Sequence, residues 1–81
     1  VPEGHMVIIE NQDQPGVIGL VGTTFGDASV NIADMVISRQ ERPGGAVAIM
    51  VLKTDSQPPA ALLNRLKARP NILNVRTASL P

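Results

Sequence analysis

Polar, proline-bearing breaks punctuate the chain at Asn11-Gln12-Asp13-Gln14-Pro15-Gly16, Glu41-Arg42-Pro43-Gly44-Gly45, Asp55-Ser56-Gln57-Pro58-Pro59 and Pro70, and they limit its fold more than any other feature. Proline fixes φ and lacks an N–H, while glycine tolerates positive φ, so such clusters end regular structure. Between the breaks the hydrophobic period changes in a definite order. His5 to Asn11 contains Met6-Val7-Ile8-Ile9, an apolar run of strand length. After the first break Val17, Leu20 or Val21, Thr24, Phe25 and Ala28 recur at helical spacing. Asp13 is placed to cap that helix, and Pro15 falls where a first-turn proline is tolerated. Gly19 and Gly22 each weaken it by roughly 1 kcal/mol relative to alanine. With Gly26 they line one side, which lets the helix back approach another backbone closely.

From Val30 to Gln40 the period is that of a strand, and Ala46 to Thr54 is a second strand directly after the proline-glycine turn, so the two predict a hairpin. The continuous apolar character of Ala46 to Thr54 predicts a central strand, buried on one face and partly covered on the other. Ala60 to Arg69 reads as a second helix, with Leu62, Leu63 and Leu66 inward and Asn64, Arg65, Lys67 and Arg69 outward; Pro70 stops it. Ile72 to Leu80 alternates as a last strand. The order β-α-β-β-α-β predicts an α+β, ferredoxin-like domain over residues 1–81. Right-handed crossovers make its sheet four-stranded and antiparallel in the order 4-1-3-2, with both helices on one face.

A domain of 81 residues buries only about 60% of the surface of its unfolded chain and is marginal alone. It has no cysteine to staple it, and Phe25 is its one aromatic residue, so the core is built from Val, Ile, Leu, Met and Ala. Extending that core across an oligomer interface is the common remedy.

The seven Lys plus Arg balance seven Asp plus Glu, which argues against a nucleic-acid partner, as does the lack of aromatic residues on the strands. The longest apolar stretch, Ala46 to Leu52, is too short to span a bilayer, and no basic run addresses a membrane surface. Without a signal-peptide pattern a cytoplasmic setting is the default, and the bare ends suit a module cut from a longer protein. His5 is the sole histidine and has no identifiable nucleophile beside it; a lone histidine at a strand start is more often a surface residue than a ligand or base. Asp13, Asp27, Asp34 and Asp55 are scattered over turns and one strand, as caps and solvated positions are. The run Gly16-Val17-Ile18-Gly19-Leu20-Val21-Gly22 lacks the tight first pair of the dinucleotide fingerprint. Neither catalysis nor a metal nor a cofactor is expected.

A small ligand is better served. The exit of the first strand leads through Asn11 and Asp13 into a helix N-terminus, whose free N–H groups favour a carboxylate. Asn31 lies at the helix-to-strand passage that this topology is expected to bring beside it. Asp13 can take an ammonium group, and Asn11 and Asn31 each carry a donor and an acceptor, which together complement a zwitterionic amino acid. Each also has an ordinary structural role: Asp13 as a helix cap, Asn31 as a turn residue, Asn11 as a strand-end polar group.

Asn11-Gln12-Asp13-Gln14-Pro15-Gly16-Val17-Ile18-Gly19, then Val30-Asn31-Ile32-Ala33-Asp34-Met35, then Gly44-Gly45-Ala46 resemble the ACT domain family over nearly the whole chain, from Gly4 to Leu80. Within it they are most similar to the C-terminal regulatory domains of D-3-phosphoglycerate dehydrogenases, and the ACT domain of L-serine dehydratase has a similar pattern. The resemblance implies side-by-side pairing of two domains into one eight-stranded sheet, attached catalytic domains, and L-serine held at the domain interface. It implies Asn11, Asp13 and Asn31 as the ligand contacts. Asn11 departs from it, since His or Tyr is usual there and a shorter amide reaches less far. A dimerisation module with an emptied site is the alternative.

Overall fold

The computed structural model describes residues 4–80; the outermost residues of the expected 1–81 domain lie outside it. Strand β1 (Gly4–Gln12) is followed by helix α1 (Val17–Asp27), strands β2 (Ile32–Arg42) and β3 (Gly45–Thr54), helix α2 (Ala60–Lys67) and strand β4 (Ile72–Leu80). The four strands are antiparallel in the order β2-β3-β1-β4, which is the expected ferredoxin-like order read from the other edge. No helix among the described residues is long and apolar enough to cross a membrane.

Alternation decides the layers. Val7 and Ile9 of β1 stand opposite Leu52 and Met50 of β3, and all four are fully buried. Over them pack Val17, Val21 and Phe25 of α1 and Leu62 and Leu66 of α2, with Ile72 and Val75 of β4 completing the core. Strand β3 is central, as expected: Ile49 and Val51 point to the other face and remain half-buried. Strand β2 differs. None of its residues is fully buried, only Ile32 and Ile37 lean on the core, and Val36 is 60% exposed.

Strand β1 is one residue longer at each end than expected, and the other boundary differences have local reasons. The second strand begins at Ile32 rather than Val30, because residues 28–30 are used to end α1. Ser29 is left-handed (φ 58°), its N–H donates to the Gly26 carbonyl at 3.0 Å, and the Val30 N–H donates to Phe25 at 3.0 Å. That is a Schellman C-cap, and the buried Val30 and Phe25 form its usual apolar contact. Serine pays a steric cost there that glycine avoids, so Ser29→Gly should raise stability by about 1 kcal/mol in urea denaturation. Helix α2 ends at Lys67 rather than Arg69, since a residue preceding proline is driven out of the helical region. The hairpin strands run closer to the turn than expected, leaving Pro43 and Gly44 between them. Gly44 has φ +92°, matching a type II turn.

The helix start also corrects an expectation. Gly16, left-handed at φ 89°, is the N-cap residue, and no side chain caps α1. Asp13 is therefore not a helix cap.

Candidate functional site

Asn11 continues the inward alternation of Val7 and Ile9 and so sets an amide at the end of an aliphatic row. A bulge in β1·β4 pairing between Glu10 and Asn11 leaves Leu73 as the extra residue, 50% exposed, while Asn11 stays on the helix side opposite Ile72 and Ala48. Its backbone neighbourhood is tied on both sides: the Gln12 N–H donates to Asn71 at 2.9 Å and the Asp13 N–H to Ala46 at 3.0 Å.

The Asn11 side chain is 2% exposed. Its Nδ2 donates to the Gln12 carbonyl at 2.8 Å, but Oδ1 is buried and accepts nothing. An unsatisfied buried acceptor costs about 1–3 kcal/mol, so it is tolerated for a reason. The space beside it is a cavity of about 260 Å³ between the sheet and the amino end of α1. Val17, Ile37, Ala48 and Met50 form its apolar walls, and Asp13 and Arg39 its polar ones. Ala48 is small enough to leave the room. Arg39 Nε lies 3.4 Å from Asp13 Oδ2, joining β2 to the β1–α1 loop; the two side chains are 67% and 28% exposed. Among the described residues the N–H groups of Ile18 and Gly19 in the first turn of α1 have no backbone partner. The arrangement thus offers one anion, one cation, one buried acceptor and a helix amino end around an apolar pocket, the set of groups a small zwitterion needs.

Asn31 is not part of it within one chain. It is exposed, and its carbonyl accepts the Asp55 N–H at 3.1 Å. The hairpin puts the start of β2 beside Thr54 at the end of β3, whereas Asn11 lies beside Ala48 near the start of β3. Six residues of strand separate these levels, roughly 20 Å at about 3.3 Å per residue. The expected convergence of Asn31 with Asn11 and Asp13 does not occur in a single copy.

Arg39, Ile37, Ala48 and Met50 went unrecognised as site residues in the sequence. Alternation places Arg39 on the face of Ile37, but only the register against Ala48 shows which loop it meets. The remaining acids are separate. Asp27 meets Arg65 of α2 at 3.4 Å, and Asp34 accepts the Met35 N–H at 2.9 Å. No group of three or more His, Cys, Asp or Glu residues suited to a metal occurs among the described residues. His5 is half-buried rather than at the surface; its Nδ1 lacks a partner beside a crevice of about 50 Å³ shared with Pro58 and Leu63.

Comparison with known proteins bears on this site. The profile described as ACT domain matches residues 5–71. D-3-phosphoglycerate dehydrogenase of Methanocaldococcus jannaschii is 41% identical over 80 residues, covering 99% of this chain and 15% of that protein. The Bacillus subtilis protein of the same name is also 41% identical over 80 residues, with the same coverage. The chain thus spans only 15% of the length of these relatives. Among solved structures, an unknown protein from Galdieria sulphuraria superimposes with a TM-score of 0.67 at 17% identity, over 99% of this chain and 46% of that one. That likeness concerns the fold.

Proposed function

The chain belongs to the ACT domain family, and from that premise we propose that it is a non-catalytic regulatory module that binds a small amino acid, L-serine foremost, in the cavity at Asn11 and Asp13. The enzyme it serves is a D-3-phosphoglycerate dehydrogenase of the cytoplasm, whose attached catalytic domains respond to the ligand by coupling between distinct sites. The observation that carries this is that Asn11, whose buried Oδ1 has no partner, lines a cavity that also holds Asp13 and a helix amino end. The 41% identity to proteins named D-3-phosphoglycerate dehydrogenase favours that parent over L-serine dehydratase.

The module works as a homodimer. Strand β2 is an edge of eleven residues, with Met35 and Val36 exposed, and a long open edge of this kind invites pairing. Two β2 strands paired antiparallel about Ile37 make an eight-stranded sheet and set Asn31 of a second copy opposite Pro43, at the cavity's end of the sheet. In this way Asn31 joins Asn11 and Asp13 at the interface. The side of α1 bearing Gly19, Gly22 and Gly26 faces open space in one copy, since a Cβ at any of the three meets nothing within 4 Å. It packs closely on no backbone of its own chain and is free for a second helix.

One observation favours a second function, a dimerisation module without ligand response: Asp13 is already paired with Arg39, so the site is electrically satisfied when empty. An amide NMR titration with L-serine, with glycine and L-alanine as controls, separates the two. Saturable shifts centred on Asn11 to Gly19 and on Asn31 are expected for the sensor, and none with any amino acid, in a sample dimeric by sedimentation, for the silent module. Asp13→Ala should weaken L-serine binding about tenfold or more in calorimetry. Because Asp13 caps no helix, its loss should change folding stability by only about 0.5 kcal/mol or less.

A further inference from the structure

The geometry points to Arg39 as the residue that reads the ligand's carboxylate, and to its ion pair with Asp13 as the ligand-free form of a clamp that a zwitterion opens. This rests on the amino-acid-binding function proposed above and adds to it a residue, an orientation and a side-chain preference.

Among the described residues Arg39 is the one cation lining the cavity, and Asp13 the one anion. They stand on different elements and meet at 3.4 Å at its exposed rim. Nε of Arg39 makes the ion-pair contact with Asp13, and among the described residues its terminal guanidinium nitrogens have no hydrogen-bond partner. A guanidinium binds a carboxylate best through two parallel N–H groups, so this single contact leaves its stronger mode unused. An exposed pair of this kind also contributes little, so exchanging it is inexpensive. An amino acid entering the cleft offers an ammonium to Asp13 and a carboxylate to Arg39, and replaces one exposed contact by two charge-matched ones.

With both charged groups of the ligand engaged at the rim, its side chain points inward. There it meets the apolar walls and Asn11, whose buried Oδ1 lacks a partner and is an acceptor because Nδ2 already donates to Gln12; a small side-chain shift brings it to the ligand. The preferred side chain is therefore short, uncharged and carries a hydrogen-bond donor. An acidic side chain would bring like partial charge to Oδ1, and an alanine methyl would leave it unsatisfied.

The test pairs deletion of the ligand's charge with deletion of the residue, using L-serine and L-serinamide on the 81-residue chain by calorimetry. The unaltered protein should bind L-serine about tenfold or more tightly than L-serinamide, as loss of a charge-assisted contact predicts. In Arg39→Gln that preference should collapse to within about threefold, and Arg39→Lys should restore part of it. Lys53→Gln, a charge removed from the other face of the sheet, should leave the preference unchanged and so excludes a general effect of net charge. The Arg39 Nε resonance should shift on adding L-serine to the unaltered protein. If L-serine binds but Arg39→Gln keeps the full preference, the role of Arg39 is overturned while the ligand site stands. If the unaltered protein binds neither compound, the site and the clamp fall together.

Discussion

Phe25→Ala should cost about 3–5 kcal/mol, the range for truncating a fully buried phenylalanine. Phe25 is the only aromatic side chain of the chain, is wholly buried, and packs among Val21, Leu62 and Leu66, where the two helices and the sheet meet. Neighbouring aliphatic residues held by the sheet cannot collapse far into the space left, so a cavity term adds to the lost transfer energy. Domains have about 5–15 kcal/mol of stability in total, and one this small lies toward the low end. The melting temperature should therefore fall by about 15 °C or more, by circular dichroism at fixed protein concentration. Concentration must be held because melting of the proposed dimer depends on it. A fall of less than about 5 °C would show that Phe25 is not the keystone of the α1–α2 contact.

The second large effect has opposite signs for stability and for binding. Asn11→Leu keeps the branched shape, adds volume that the adjoining cavity can take, and replaces a buried acceptor that has no partner by an apolar group beside Val17, Ala48 and Met50. The released Gln12 carbonyl belongs to an exposed residue, so water is expected to replace the lost amide donor. Removing an unsatisfied buried polar atom should stabilise the fold by about 1–2 kcal/mol, or roughly 4–8 °C per kcal/mol in melting temperature. The same change should abolish measurable L-serine binding, since the acceptor and part of the cavity disappear together. Such an exchange of stability for recognition is what a retained functional polar group predicts. If Asn11→Leu is destabilising instead, Oδ1 is satisfied in solution by some group of the protein or its partner, and its value as a marker of the ligand site is lost.

Much of the fold was legible because local chemistry and global topology agree. Pro15, Pro43, Pro58 and Pro70 stand in or beside the connections, and between them the period alternates between two and 3.6 without ambiguity. Crossover handedness then leaves one sheet order. The misread boundaries depended on hydrogen bonds that composition does not reveal. Val30 looks like a strand residue, yet its N–H is taken by Phe25. Asp13 looks like a cap, yet Gly16 turns left-handed first and Asp13 swings to Arg39.

The candidate site divides in the same way. Asn11 and Asp13 were visible because a polar pair interrupts an apolar strand just before a helix. Arg39 was not, since its importance lies in β2 running beside Ala48 of β3, a register that no local pattern encodes. Nor could the distance of Asn31 from the cavity be read, because it follows from the antiparallel sense of one hairpin. Which segments pair and pack is written in period and breakers, which act over a few residues of chain. Which side chains meet emerges only in the folded sheet, because antiparallel register joins residues far apart in the chain, and a one-residue slip would send Arg39 to the opposite face.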